Sequence, residues 1–414
     1  MPVFRNARAL FTGWLAGYPC WAVIPAFLVL FLWGCAPEEP VLEPEPVDIP
    51  PLFAPVDGRE VVGIVQKDLQ EQGLDSWEDL APALEKSLDY VRTRDGDQKA
   101  VCQPELCLTW SDIKETLELF IQLLPDIDRN PELLKHYFDF YAVNPDVLLT
   151  GYYEPELKAS REKHDDFRHP VYGRPDNLKS VDLGQFHPRW KDQRLYYRLE
   201  NGEIKPYYSR GEIELEDALA GRDLEIAWVK DPIDLFFLHI QGSGRLKYPG
   251  GDYKHVLYAD RNGHQYVALG RVLVDLGFLE QDEVSMQSIR AVLQENPDIK
   301  HELMAKNPSY IFFHLDDQGP RGSTGQILTP WVSVASDPEV IPWGSVMIMD
   351  AELPEYQGQK THIQGPVTAQ DTGGAIRGRH LDFFCGFGER AEYIAGKMSD
   401  RADIFFMVRK YGKN

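Results

Sequence analysis

Ser333-Val-Ala-Ser-Asp337, and further on Gln370-Asp-Thr-Gly-Gly-Ala-Ile-Arg-Gly-Arg-His-Leu-Asp-Phe-Phe384, set Asp337, Asp371 and Asp382 beside glycines and at the ends of apolar runs. Val332–Ala335, Val346–Met349, Pro366–Ala369 and Ile404–Val408 are short, rich in β-branched and aromatic residues, and broken by turn residues, so they read as buried strands. Gly373, Gly374 and Gly378 let the backbone bend and approach a ligand closely, which can bring Asp371 and Asp382 to one rim. Composition alone favours a plainer alternative, turn aspartates that bind their own backbone.

Moving towards the N-terminus, Leu148–Tyr153, Ile226–Val229 and Leu235–Ile240 have the same strand-like texture. A helix is expected around Leu269, Val272, Leu273 and Leu276, closed by Gly277, and another from Met286 to Leu293. Before Val147 the period is helical. Leu80, Leu84, Leu88 and Val91 follow Ser76 and Asp79, a capping pair, and Ile113, Leu117, Phe120, Ile121 and Leu124 run to a stop at Pro125. The chain is therefore expected to be mainly β with N-terminal packing helices, and its sequence shows no internal repeat at solenoid or propeller period.

Arg5 and Arg8 precede an apolar stretch from Trp21 to Gly34, the pattern of an export signal. Leu32-Trp33-Gly34-Cys35 is similar to a bacterial lipobox with Cys35 as the lipidated residue, though Trp33 is bulky for it; an uncleaved membrane anchor is the alternative. Ala36, rather than aspartate, points to the outer membrane, and so to a lipid-anchored protein at its periplasmic face. Residues 36 to 55 are too rich in Pro and Glu to build a core and read as a tether. In an oxidising compartment Cys102 and Cys107 are close enough to pair, leaving Cys385 odd. No zinc-spaced His/Cys cluster occurs, so no metal is indicated. A net charge of −22 opposes a phosphate-backbone partner and excludes nucleic acid binding as the main function.

Thr150-Gly-Tyr-Tyr-Glu-Pro155, Ser209-Arg-Gly-Glu-Ile213, Gln241-Gly-Ser-Gly244, Asn307-Pro-Ser309, Ser333–Asp337 and Asp371–Gly378 follow one another in the order found in the membrane-bound lytic murein transglycosylase A family. The chain from about Gly151 onward resembles that family, and residues 337 to 388 resemble its 3D domain, named for three aspartates. The resemblance implies a double-psi β-barrel with a second β domain inserted and a groove between them for a peptidoglycan glycan strand. Applied here, it implies a signal peptide at 1–34, a tether at 35–58, a helical and barrel catalytic domain at 59–155 plus 320–414, and an inserted substrate domain at 156–319. It also implies that Asp382 is the single catalytic acid, with Asp337 and Asp371 in support. Cys385 departs from a polar residue of the family; near the groove it would alter sugar contacts, and otherwise it is a small buried hydrophobe, the plainer reading.

The chemistry can be argued without the resemblance. A glycosidic oxygen leaves only when protonated, which calls for a carboxyl whose pKa is raised by apolar walls or by other carboxylates; Phe383, Phe384, Asp337 and Asp371 could supply both around Asp382. A muramic acid C6 hydroxyl can attack its own anomeric carbon, so a second carboxylate is dispensable and no cofactor is implied. Tyr152 and Tyr153 are candidates for stacking on sugar rings, and Gln241 and Ser243 for bonding acetamido groups; structural roles in a strand and a turn weigh equally. Arg210 reads as a salt-bridge partner, and a lone His380 as a satisfied structural donor. Two rivals remain: an inverting hydrolase with Asp371 or Asp337 as its base, and a peptidoglycan-binding lipoprotein without activity. The sequence names no protein partner.

Overall fold

The structure is a computed structural model; it describes residues 51–411 except 66–68, 145 and 192. The expected lipobox with Cys35 and residues 36–50 of the expected tether lie outside the described residues. From Phe53 the tether reading is corrected, since Phe53–Val56 forms a strand paired antiparallel with Phe138–Val143 and the Phe53 ring is buried in the barrel core, which offsets the ordering of the segment. Among the described residues no helix is long and apolar enough to cross a membrane.

Six strands close into a barrel: β1 (Val147–Glu154), β2 (Ser333–Ala335), β3 (Val346–Pro354), β4 (Lys360–Asp371), β5 (His380–Phe387) and β6 (Ser399–Arg409). Their order around the ring is β1-β6-β3-β4-β2-β5, with β5 pairing back to β1. The pairs β2–β4 and β1–β5 are parallel and the other pairs in the ring antiparallel.

The strand sequences explain why the barrel is covered on one side by helices. Val346-Met-Ile-Met349 is apolar throughout because both faces are buried. Met347 and Met349 enter the barrel core with Leu149, Phe383, Ile404 and Phe406, while Val346, Ile348, Phe405 and Met407 face a second core built by the helices. The principal helices are α1 (Ala81–Val91) and α2 (Trp110–Ile127), which bury Leu84, Leu88, Leu117 and Phe120 there. Full burial of each such side chain stabilises by about 1.5–3 kcal/mol relative to exposure.

The α2 cap is a reciprocal pair: the Asp112 amide donates to Thr109 Oγ1 at 3.3 Å and the Thr109 amide to Asp112 Oδ2 at 2.7 Å. The expected stop at Pro125 is corrected, since α2 continues through it to Ile127. Pro125 sits in the last turn, where one missing N–H bond costs less than the burial of Leu124 and Ile127 returns.

Between β1 and β2 the chain forms a second six-stranded sheet, from Glu156–Ser160 to Ile311–Asp316, around Leu157, Val171, Leu246, Val256 and Phe313. A three-stranded sheet over 179–206 and several short helices complete this part. Here a second expectation fails. Leu235–Ile240 is not a strand but most of helix α3 (Pro232–Gln241), entered through Asp231, whose carboxylate accepts the Ile233 amide at 2.8 Å. The helix is apolar nearly all round because almost every side from Ile233 to His239 is buried, which erases the period that would have marked it. Cys102 and Cys107 face each other across a short hairpin and are joined by a disulfide.

Candidate active site

Strand pleating places the key side chains together. On β5, Leu381, Phe383 and Cys385 enter the barrel core, so His380, Asp382 and Phe384 point to the opposite face. On β1, Leu149 and Tyr153 enter the core and Thr150 and Tyr152 point the other way. The parallel register sets Thr150 beside Asp382 and Tyr152 beside Phe384. Asp382 Oδ1 lies 2.7 Å from the Thr150 hydroxyl and accepts its proton when the carboxyl is ionised. Tyr152 packs on Phe384 with ring centroids 5.1 Å apart, in a small apolar cluster with Leu328, Ala335 and Ile376.

Asp382 is partly accessible, yet protein surrounds its carboxyl closely enough that burial raises its pKa to about 7. The Thr150 hydroxyl opposes the rise and the charge of Asp371 adds to it. Such a group is half protonated near neutrality and can both give and accept a proton.

Asp371 is held differently. Its Oδ1 accepts the Ser323 amide at 2.9 Å, the Ser323 hydroxyl at 2.8 Å and the Thr372 amide at 2.8 Å, and its Oδ2 accepts the Tyr152 phenol at 3.2 Å. Burial raises its pKa and these donors oppose the rise. The loop that brings Ser323 lies so close to β4 that a Cβ on Gly322 would stand 2.4 Å from the Gln370 carbonyl oxygen. Gln370, fully buried, donates from Nε2 to the Ala83 carbonyl and to Ser87 Oγ, both at 2.9 Å, which ties α1 to the strand that carries Asp371.

Asp337 does not touch Asp382 directly. Its Oδ2 accepts the amide of Gly378 at 2.7 Å, pinning the glycine loop that delivers β5, and Gly378 takes a φ of 63° that side chains disfavour. The stacking expectation for the tyrosines is corrected. Tyr152 is 9% and Tyr153 3% exposed, so neither offers an open ring face. Pleating turns Tyr153 into the barrel core, and the phenol of Tyr152 is engaged by Asp371. Gln241 uses its Oε1 to accept the Tyr153 amide at 3.0 Å and so joins α3 to β1; Ser243 follows it, half-buried, at the start of a strand of the inserted sheet. Arg210 is buried and bonds Glu214 at 2.7 Å, and Cys385 is buried in the barrel core. Among the described residues no group of His, Cys, Asp or Glu is arranged to hold a metal ion.

Two residues of the site, Thr150 and Ser323, are not marked as site residues by the sequence, and His380 reads there as a structural donor although its Nε2 lies 2.8 Å from the Thr150 hydroxyl. Two-residue periodicity along Leu148–Tyr153 puts Thr150 on the face of Tyr152, a signal that was present. Nothing local marks Ser323.

A closed barrel bearing two carboxyls raised by burial, Asp371 and Asp382, with a second sheet inserted ahead of its C-terminal strands, defines the class. Residues 332–408 match the family model described as 3D domain, and residues 148–314 the one described as MltA specific insert domain. The chain belongs to the membrane-bound lytic murein transglycosylase A family. It is 31% identical over 255 residues to membrane-bound lytic murein transglycosylase A of Vibrio cholerae, covering 60% of this chain and 62% of that relative. The match thus spans less than two thirds of the relative's length. Among solved structures, a membrane-bound lytic murein transglycosylase from Agrobacterium tumefaciens is similar with a TM-score of 0.72 at 29% identity, over 86% of this chain and 97% of that one. MltA from Neisseria gonorrhoeae is similar with a TM-score of 0.67 at 27% identity, over 87% of this chain and 93% of that one.

Proposed function

We propose that this chain is a peptidoglycan lytic transglycosylase that cleaves the MurNAc-β-1,4-GlcNAc bond and leaves 1,6-anhydromuramic ends, with Asp382 as its only acid/base. The glycan lies in a groove between a double-psi barrel at 59–155 plus 320–414 and the inserted domain at 156–319, reaching Gln241 and Ser243. A lipid on Cys35 holds the enzyme at the periplasmic face of the outer membrane. The relatives named above are lytic murein transglycosylases, which supports the reaction class.

The observation that carries the reading is the contrast between the carboxyls. Asp382, poised near neutrality with one hydroxyl partner, suits protonation of the departing GlcNAc oxygen followed by removal of the C6 hydroxyl proton. In a two-carboxylate hydrolase the second carboxylate must be free to activate water. Asp371 has four donors on its two oxygens and Asp337 is spent on backbone amides, which favours the intramolecular reaction over that rival. Asp337 and Asp371 therefore serve as supports of the site.

The test is mass spectrometry of peptidoglycan digested by the full chain in detergent and by its Asp382→Ala variant. Anhydro-muropeptides from the unmodified chain alone are expected. Reducing-end products would favour the hydrolase, and the absence of products from either would favour a binding protein.

A further inference from the structure

We propose that His380, acting through the Thr150 hydroxyl, is a positioning residue that holds Asp382 in its protonated form at the start of the reaction. This rests on the transglycosylase reading above. Three groups form one line: Asp382 Oδ1 lies 2.7 Å from Thr150 Oγ1, Thr150 Oγ1 lies 2.8 Å from His380 Nε2, and His380 Nδ1 lies 3.3 Å from the carbonyl oxygen of Ala375. Strand geometry builds it, because His380 and Asp382 are two apart on β5 and Thr150 is the register partner of Asp382.

The direction of the line follows from proton counting. A carbonyl only accepts, so the Ala375 oxygen keeps a proton on His380 Nδ1. In neutral His380 the other nitrogen, Nε2, is then a lone pair that draws the single Thr150 proton. Thr150 then offers a lone pair to Asp382, and the line is complete only if Asp382 carries its own proton and donates it. When Asp382 surrenders that proton to the leaving oxygen, Thr150 rotates to donate to the new carboxylate and abandons His380. Neutral His380 thus opposes ionisation of Asp382, and burial favours the neutral ring.

The other groups around the line are accounted for. Asp371 on β4 raises the pKa of Asp382, and Tyr152 on β1 and Cys385 on β5 are themselves pushed up and stay neutral. Asp337 is engaged by the Gly378 amide. Arg377 donates to the Ile376 carbonyl, Arg379 to that of Asn144, and Arg390 of helix α4 (Glu389–Lys397) to Glu355.

The experiment follows anhydro-muropeptide release against pH, with the high-pH limb reporting loss of the Asp382 proton. His380→Phe removes the acceptor and frees the Thr150 proton for the carboxylate, so the limb moves down by about one pH unit. His380→Gln restores an acceptor and returns the limb to its place. Thr150→Val takes the donor from the ionised form, and the limb moves up. A loss of rate in His380→Phe that is even at all pH values would mean a purely structural histidine and would overturn the proposal. If circular dichroism shows that His380→Phe does not fold, His380→Leu takes its place, and an unmoved or raised limb overturns the proposal. Carbon-13 titration of the Asp382 carboxyl needs no turnover. It therefore separates failure of this line, seen as no shift in the variants, from failure of the transglycosylase reading, seen as absent anhydro products.

Discussion

Replacing Asp382 by asparagine should make the protein more stable, and more so as the pH rises. The folded state raises this carboxyl from 3.8 to about 7, so between those values the folded chain binds a proton that the unfolded chain has lost. Stability contributed by the raised group is complete below the unfolded pKa and is lost as pH climbs through the folded one. At about 1.4 kcal/mol per pKa unit the full loss is about 4 kcal/mol; partial access of water to Asp382 reduces it to about 2–3 kcal/mol. Asparagine keeps an oxygen to accept from Thr150 and a similar volume, and it has no charge to desolvate. Urea unfolding of both proteins, followed by tryptophan fluorescence, should therefore give nearly equal stabilities at about pH 4 and a variant advantage of about 2–3 kcal/mol at about pH 8. Titrating groups that do not feel the charge of Asp382 are shared and cancel in the difference. A difference that stays flat with pH would refute the raised carboxyl, and with it the physical basis of the acid assignment.

Two further outcomes test how the scaffold supports the site. Phe120→Ala, in the core between α2 and the barrel, should cost about 3–5 kcal/mol in urea unfolding, with far-ultraviolet circular dichroism retained below the transition. Gly322→Ala forces a Cβ against the Gln370 carbonyl oxygen and should cost about 1–3 kcal/mol. By displacing Ser323 from Asp371 it should also slow peptidoglycan cleavage at all pH values, whereas unchanged release of muropeptides would show that the loop is not coupled to the site.

How much of this could be read in advance depended on how local each interaction is. The apolar runs of β1, β3 and β6 announced buried strands because two-sided burial leaves a continuous hydrophobic signature. The capping pair of Ser76 and Asp79 marks a helical start within three residues, and it opens the 3-10 turn that runs into α1. Helix α3 was misread since burial on nearly all sides gives Leu-Phe-Phe-Leu the look of a strand; Asp231-Pro232, a cap followed by a first-turn proline, was the better guide. The site was legible as three aspartates but not as a hydrogen-bonded arrangement. Thr150 and Asp382 are 232 residues apart and meet through a parallel register, and Ser323 reaches Asp371 from a loop 48 residues away. Gln370 gave no hint that it would grasp Ala83 across 287 residues. Such contacts depend on closure of the barrel, which no stretch of sequence encodes alone.

The ring order also governs when the site comes into being. β1 precedes the inserted sheet, yet its two neighbours in the ring, β5 and β6, begin only at His380 and Ser399. A chain that has reached the end of the second sheet has the threonine of the pair but neither the aspartate nor the strands that would hold β1 in place. Joining segments so far apart carries a loop-closure penalty, which falls if the intervening residues have already collapsed around their own core at Leu157, Leu246 and Phe313. Collapse of the inserted sheet ahead of the barrel would shorten the effective loop. Asp382 meets the Thr150 hydroxyl only where β5 pairs with β1, so that contact is absent until the ring closes.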